Sequence, residues 1–381
     1  MPSERPRLTP AIADVRRAVR TALASADLPA GSVLLLALSG GPDSTALAAA
    51  TAFEAPRAGF RAGAVIVDHG LQAESASVAD RAAADARALG LDPVLVRRVT
   101  VDATGQGPEA AARDARYAAL TRACAETGAA AVLLGHTLDD QAETVLLGLA
   151  RGSGAGSIRG MAAATALEAP AATASATALA AEPEPAPAAP TPPAAPTAPT
   201  PPAGAAILLR PLLGIPRATT VAFCAEAGLQ PWLDPHNADL AYARVRVRTR
   251  VLPVLERELG PGIAAALVRT AESLREDDDA LDSLAREWAE EIVGLTADGS
   301  LTLDVGGLAS NPAALRQRIV RFVLLSEYGV SLSRAHTLGV TALVTDWHGQ
   351  GAVALPGISV ERREGMLVFT PVAAPDPLPS T

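Results

Sequence analysis

The chain has 381 residues, room for two or three domains, and carries a net charge of −9 with 49% hydrophobic but only 3% aromatic residues. Much of the apolar content is alanine, so the expected core is packed from Ala, Val and Leu, and the acidic balance argues against a surface coated for nucleic acid while leaving room for a local basic patch. Cys124 and Cys224 lie 100 residues apart with no CxxC pair, which argues against a zinc ribbon, a cysteine-ligated cluster or a disulfide scaffold. The opening "MPSERPRLTP" lacks the apolar stretch of a signal peptide, and no run suggests a membrane span. The expected location is the cytoplasm.

In chain order, Ile12, Val15, Val19 and Leu23 recur at helical spacing and predict a helix over 12–27, within an N-terminal lead-in of residues 1–29. The stretch "LLLALSGGPDSTALAAA", residues 34–50, runs from a buried strand through a Gly-rich turn into a helix. A second apolar strand, "AGAVIVDHGL", precedes a helix at 75–89, and a third, "DPVLVRRV", precedes one at 108–127. The fourth strand, "AAVLLGHT", feeds a helix from Asp139. Alternating buried strands and helices predict an α/β fold with a doubly wound parallel sheet, whose ligands bind beyond the C-terminal strand ends.

Residues 162–206 break the pattern, since Ala and Pro fill 32 of these 45 positions. Prolines this dense forbid a helix and the bulk for a core is missing, so this range reads as a disordered insertion. The sheet domain therefore spans 30–161 and 207–235, resuming with "AILLRPLLGI" and a helix at 217–227. An arginine-rich connection follows at 236–260. Residues 261–371 read as a smaller, mostly helical α+β domain. Its parts are a long helix at 262–292 with acidic Asp277–Asp279, helices near 311–327 and 333–347, and the closing hairpin "GAVALPGISVERREGMLVFT". Residues 372–381 read as a disordered tail.

Two motifs carry chemistry. In "SGGPDS", Ser39–Ser44, a strand, a Gly-rich turn and a helix N-terminus aim backbone N–H groups and a positive dipole end at one point, suited to a phosphate; a plain βα turn is the alternative. "GxxxxGK[ST]" is excluded because the chain has no lysine, and "GxGxxG" does not fit. In "GHTLDDQAETVLLGLARGSG", residues 135–154, Asp140 and Glu143 share a helix face with His136 just before it. Such a set could hold Mg²⁺, grip an ammonium group or shuttle a proton; an acid-capped helix is the alternative, above all for Asp139.

The six residues of "SGGPDS" resemble the pyrophosphate (PP) loop of the N-type ATP pyrophosphatases. With residues 135–154, "VDHGL" at 67–71, "EAAARDARY" at 109–117, "LLRPLL" and "WLDPHNADLAYARVRVRTRVLPVLE", the chain resembles the tRNA(Ile)-lysidine synthases. Gln72 stands where that family usually has arginine, and Val245 replaces the asparagine of its "RNRIR". The resemblance implies ATP-dependent joining of free L-lysine to the first-anticodon-position cytidine of a tRNA(Ile) with anticodon CAU, through an adenylated tRNA, and Mg²⁺ as cofactor. It implies a cradle of Ser39, Gly40, Gly41, Pro42, Asp43 and Ser44. Asp68 becomes a candidate for ribose or adenine recognition, with a turn-capping role as the alternative. Asp140 and Glu143 would take Mg²⁺ or the lysine ammonium, Asp43 and Asp140 are the metal candidates, and His136 would assist proton removal from an amine of ordinary pKa about 10.4. Arg113, Arg116 and Tyr117 form a candidate phosphate or carboxylate site, and Arg244, Arg246, Arg248 and Arg250 a cationic stripe for tRNA phosphates. A homodimer is compatible with this reading. The competing readings are a tRNA thiolase, for which the cysteines are lacking, and a non-catalytic nucleotide- or RNA-binding module.

Overall fold

The computed structural model describes residues 8–70, 75–100, 108–152, 155–167, 206–232, 234 and 239–372. Gln72 and the bulk of the Ala/Pro-rich range lie outside them. These residues divide into two compact units, one drawn from 1–153 and 160–269, the other from 154–159 and 270–381.

The first unit is built on a six-stranded sheet. Its strands are β1 (Val33–Ala37), β2 (Arg61–Asp68), β3 (Val94–Arg98), β4 (Ala129–Leu133), β5 (Ala164–Ala166) and β6 (Ile207–Leu209), in the order β3-β2-β1-β4-β6-β5. All neighbours pair in parallel except β5, which runs antiparallel to β6. Successive β1 side chains go to opposite faces. Leu34 and Leu36 join a core with helices α1 (Pro10–Ala24), α2 (Pro42–Glu54), α3 (Ser75–Ala88) and α7 (Arg217–Glu226), while Leu35 packs with Leu120 and Cys124 of α4 (Pro108–Thr127). Each of these buried leucines contributes about 1.5–3 kcal/mol over an exposed one, which is why β1 reads as an unbroken apolar run. Chain direction along the sheet reverses at β1 and β4, so the loops leaving their C-terminal ends diverge and open a crevice there.

Helix α5 (Leu138–Arg151) leaves the end of β4. Leu138, Ala142 and Leu146 pack against Val247, Leu252 and Val268, which docks α5 on the segment that follows residue 243. Residues 243–259 are helical throughout: α8 (Ala243–Arg246), a wider π turn over Val247–Val251, then α9 (Leu252–Leu259). Val245 is buried there.

The range read as an insertion requires a correction at both ends. Residues 164–166 form edge strand β5, Leu167 and Ala206 are buried, and the Leu167 N–H donates to the Ala206 carbonyl at 2.9 Å. Alanine-rich composition conceals an edge strand because backbone hydrogen bonds, rather than side-chain burial, hold it in place. Residues 168–205 lie outside the described residues, as do residues 1–7 and 373–381.

The second unit takes α6 (Ala155–Ile158) and the larger part of α10 (Ile263–Ile292), then β7 (Val293–Leu295), β8 (Leu301–Asp304), α11 (Val305–Ser310), α12 (Ala313–Tyr328), α13 (Arg334–Thr345), β9 (Val353–Leu355), β10 (Ile358–Arg363) and β11 (Met366–Pro371). Its antiparallel sheet has the order β7-β8-β11-β10-β9. Ala285, Ala289 and Ile292 of α10 meet Ile319, Val323, Leu343 and Phe369 in one apolar core. Strands β7 and β8, absent from the sequence reading, extend the expected hairpin.

Candidate active site

The turn after β1 is shaped by two glycines and their partners. Gly40 has φ +82°, a conformation that suits residues without a Cβ, and its carbonyl accepts from the Trp232 N–H at 2.8 Å. The Ser44 hydroxyl bridges back to the Gly41 carbonyl at 3.0 Å and lies 3.1 Å from the Ser39 hydroxyl. Gly135, at the end of β4, passes so close that a Cβ there would sit 3.1 Å from the Ser44 nitrogen. The first turn of α2 and the β4–α5 connection are thereby brought to one place.

They border a cleft of about 670 Å³ lined by Ser39, Gly41, Pro42, Asp43 and Ser44 from the turn, by Asp68, His136 and Asp140 beyond the other strand ends, and by Arg116 of α4. Gly40 backs the turn from behind, against Trp232. Asp68 accepts from the Gly70 N–H at 3.0 Å and from Arg98 at 3.2 Å, so a turn-capping role is present at a residue that also faces the cleft. Burial works to raise its pKa, but the Gly70 N–H, Ser75 and Arg98 outweigh it and hold the carboxylate below its usual range.

The start of α5 carries a reciprocal cap: Thr137 caps the helix and Asp140 Oδ2 accepts from the Thr137 N–H at 2.8 Å and its hydroxyl at 2.9 Å. Its other oxygen, Oδ1, accepts from Arg217 at 2.8 Å and from Arg248 at 3.4 Å. Burial pushes the Asp140 pKa up, but Arg217, the Thr137 N–H and Arg244 bring it below the usual carboxylate value. Asp139 caps a different helix from its own, accepting from the Arg217 N–H at the start of α7 at 2.7 Å.

Arg217 is the residue the sequence reading missed. Its guanidinium touches Asp43 at 3.2 Å, Asp140 at 2.8 Å and Glu143 at 3.4 Å, joining the turn to the acidic helix. Burial opposes its charge, but Asp140, Asp43, Glu143 and Asp139 together raise its pKa further, so it stays cationic. Asp43 also accepts from the Thr220 hydroxyl. Burial raises the Asp43 pKa, with Thr220 and Arg217 pulling it down and Asp140 pushing it up.

Glu143 is fully buried and enclosed by cations: Arg248 at 2.7 Å, Arg244 at 2.9 Å and Arg217. The expected stripe of four arginines is therefore corrected. In a strand all four would share a face; at helical spacing they divide into two pairs four residues apart. Arg244 and Arg248 turn inward to Glu143 and Asp140, while Arg246 and Arg250 are exposed. The pair Arg113 and Arg116 divides too: Arg116 lines the cleft, whereas Arg113 is exposed with its guanidinium 5.2 Å from the Tyr117 ring centre. Tyr117 packs against the core behind β1 and β4.

His136 is half-buried, and its Nδ1 is buried with no hydrogen-bond partner among the described residues. Burial drives its pKa down to about 3 against the pull of Asp140, and the charges on Arg116, Arg210 and Arg244 reinforce burial. At that value the imidazole carries no charge near neutral pH. Cys124 and Cys224 are buried on opposite faces of the sheet with thiols pushed up to about 11, first by burial. Among the described residues no cluster of three or more His, Cys, Asp or Glu side chains forms a metal site by itself, and no helix is long and apolar enough to cross a membrane.

A parallel sheet with a Gly-rich phosphate turn at its switch point defines a PP-loop protein, a class that uses ATP, and the PP-loop domain profile matches residues 13–255. The TilS substrate binding domain profile matches residues 303–368. A tRNA(Ile)-lysidine synthase of Leifsonia xyli is 58% identical over 344 residues, covering 90% of this chain and 91% of that protein. One of Thermobifida fusca is 48% identical over 364 residues, covering 95% and 98%. The chain belongs to the tRNA(Ile)-lysidine synthase family, a family of tRNA-modifying ligases. The solved U34-tRNA thiolase NcsA of Methanococcus maripaludis shares the fold with a TM-score of 0.52 at 18% identity, over 70% of this chain and 80% of that one.

Proposed function

We propose that this protein ligates L-lysine to C2 of the first-anticodon-position cytidine of a tRNA(Ile) bearing CAU, in the cytoplasm, with ATP consumed to AMP and pyrophosphate. The observation that carries the reading is the single guanidinium of Arg217 shared by Asp43 of the phosphate turn and Asp140 of the acidic helix. A site for ATP and a site for a cationic amine are thus halves of one cleft.

The cytosine C2 carbonyl is a poor electrophile. Its oxygen attacks the α-phosphorus of ATP, pyrophosphate leaves, and the adenylated base then accepts the lysine ε-amine at C2 with AMP as the leaving group. The backbone N–H groups of Gly40, Gly41, Asp43 and Ser44 and the positive end of α2 hold the pyrophosphate in place. Asp140 presents Oδ1 to the cleft for the ammonium of lysine, while buried Glu143 anchors Arg244 and Arg248. Arg116 faces the phosphates or the lysine carboxylate, and neutral His136 supplies a hydrogen bond. Exposed Arg246 and Arg250 are left for tRNA phosphates.

Asp43 and Asp140 suit Mg²⁺, which takes oxygen ligands from one or two carboxylates and the rest from phosphate and water. Arg217, a cation held between these two carboxylates, fits the same demand for positive charge. When bound, the ion would neutralise phosphate charge.

The cysteines weigh against thiolation, because they sit on opposite faces of the sheet with protonated, buried thiols. The test is incubation of an isoleucine tRNA transcript carrying CAU with ATP, Mg²⁺ and labelled lysine. Label should enter the tRNA with release of AMP, and replacing the first cytidine by uridine should abolish transfer, because a buried hydrogen-bonding group is then left unpaired. Entry of sulfur, or of no label at all, would refute the proposal.

A further inference from the structure

Thr220 occupies a buried position on α7 where an apolar side chain would serve packing equally well. It is wholly inaccessible, beside Phe223 and Cys224, and α7 lies against α2 in the core of the first unit. A hydroxyl buried there is costly unless it is hydrogen-bonded. Two oxygens are within reach, the Asp43 carboxylate and the Arg217 carbonyl at 2.8 Å. One hydroxyl proton goes to one of them, and the charged acceptor forms the stronger bond.

The same helix grips the start of α2 at two further points. Arg217 donates to the other Asp43 oxygen at 3.2 Å, and the Cys224 thiol lies 3.4 Å from the Pro42 carbonyl. Both Asp43 oxygens are therefore fixed by α7, and the first turn of α2 cannot rotate without breaking these bonds. Arg217 lines the cleft, but Thr220 is not among its lining residues, so it touches no bound reactant and acts through Asp43.

We propose that Thr220 is a positioning residue for the ATP-dependent step, its hydroxyl fixing the orientation of the Asp43 carboxylate in the phosphate turn. The inference rests on the proposed role of Asp43 toward ATP. Asp43, between Pro42 and Ser44 in the first turn of α2, still has more than one staggered side-chain position open to it, and one buried donor selects among them. Orientation of this kind is felt in turnover, as it is where the partners that orient a metal-binding side chain are lost, at a cost of roughly 10- to 100-fold.

The experiment compares Thr220→Val, Thr220→Ala and Thr220→Ser in the full-length protein with a CAU-bearing isoleucine tRNA transcript, following AMP release and melting. Val keeps the volume and removes the donor; Ala also removes it without pressing a methyl on the carboxylate, and decides the matter if Val does not fold. The expected result is a kcat lowered about 10- to 100-fold in Val and Ala, KM for tRNA and lysine unchanged, and recovery in Ser. Normal kcat in Val or Ala, or a Ser variant as slow as they are, would overturn the inference. Asp43→Asn in the same assay separates the two claims. If it is inactive while Thr220→Val is normal, the role of Thr220 alone fails; if Asp43→Asn turns over normally, the reading of Asp43 fails and takes this inference with it.

Discussion

Two buried carboxylates in this molecule are surrounded by arginines, with different consequences. Glu143 in the first unit is held by Arg217, Arg244 and Arg248; Asp278 in the second is held by Arg159 at 2.9 Å and by Arg318. The Asp278 cluster ties α10 to α12 and to the segment ending at Arg159, whose carbonyl also accepts from Arg275. The Glu143 cluster stands beside a Gly-rich turn, a cleft of about 670 Å³ and an imidazole with a nitrogen that has no partner among the described residues. An ion network by itself is an ordinary structural fastener. What marks a site is the coincidence of such a network with an open cleft, a helix N-terminus and polar atoms that lack partners.

The sharpest way to break the comparison is Asp140→Asn. Asparagine retains most of the capping bonds, so the fold should survive with a loss of about 1–3 kcal/mol, while lysine transfer should fall about 100- to 1,000-fold. Normal turnover in the folded variant would return Asp140 to a purely structural role. Glu143→Gln should show a larger stability effect, since it leaves three half-buried arginines without the counter-charge of a fully buried carboxylate. A loss of about 3–5 kcal/mol, or on the order of 10 °C in melting, is expected by calorimetry.

Asp278→Asn sharpens the contrast from the other side. It should destabilise by about 2–3 kcal/mol, yet leave kcat for AMP release within about twofold once the protein is folded. A large fall in kcat with an intact fold would show that the second cluster takes part in chemistry. The smallest effect is expected from replacing residues 168–205 by Asn-Gly. Because Leu167 and Ala206 are already hydrogen-bonded across β5 and β6, a two-residue turn closes the gap. Melting should stay within about 2 °C, and a loss of several degrees or of most activity would show that the removed residues contribute.

The parts of this architecture that were legible in the sequence are those set by local pattern. Buried parallel strands are continuous apolar runs, the phosphate turn is one unbroken hexapeptide, and Asp140 and Glu143 share a helix face by spacing alone. What escaped depends on contacts across the chain. Arg217 and Thr220 sit in "IPRATT", which carries no motif, and meet Asp43 across 174 and 177 residues. The arginines at 244–250 alternate like a strand and fold as a helix, so their division into inward and outward pairs follows from backbone period, not composition. Strand β5 was hidden by alanine, and β7 with its three residues is too short to show a period.

The central claim is that one cleft first activates a base with ATP and then admits an amine. It is tested most directly by withholding lysine. With Mg²⁺, ATP labelled at the α-phosphate and a CAU-bearing isoleucine tRNA transcript, the wild-type protein should transfer the labelled AMP to the tRNA. Adding lysine should then discharge that label as AMP while lysine enters the same tRNA in equal amount. Lysine transfer at full rate with no labelled AMP ever found on the tRNA, in a rapid quench fast enough to catch a single turnover, would contradict the account.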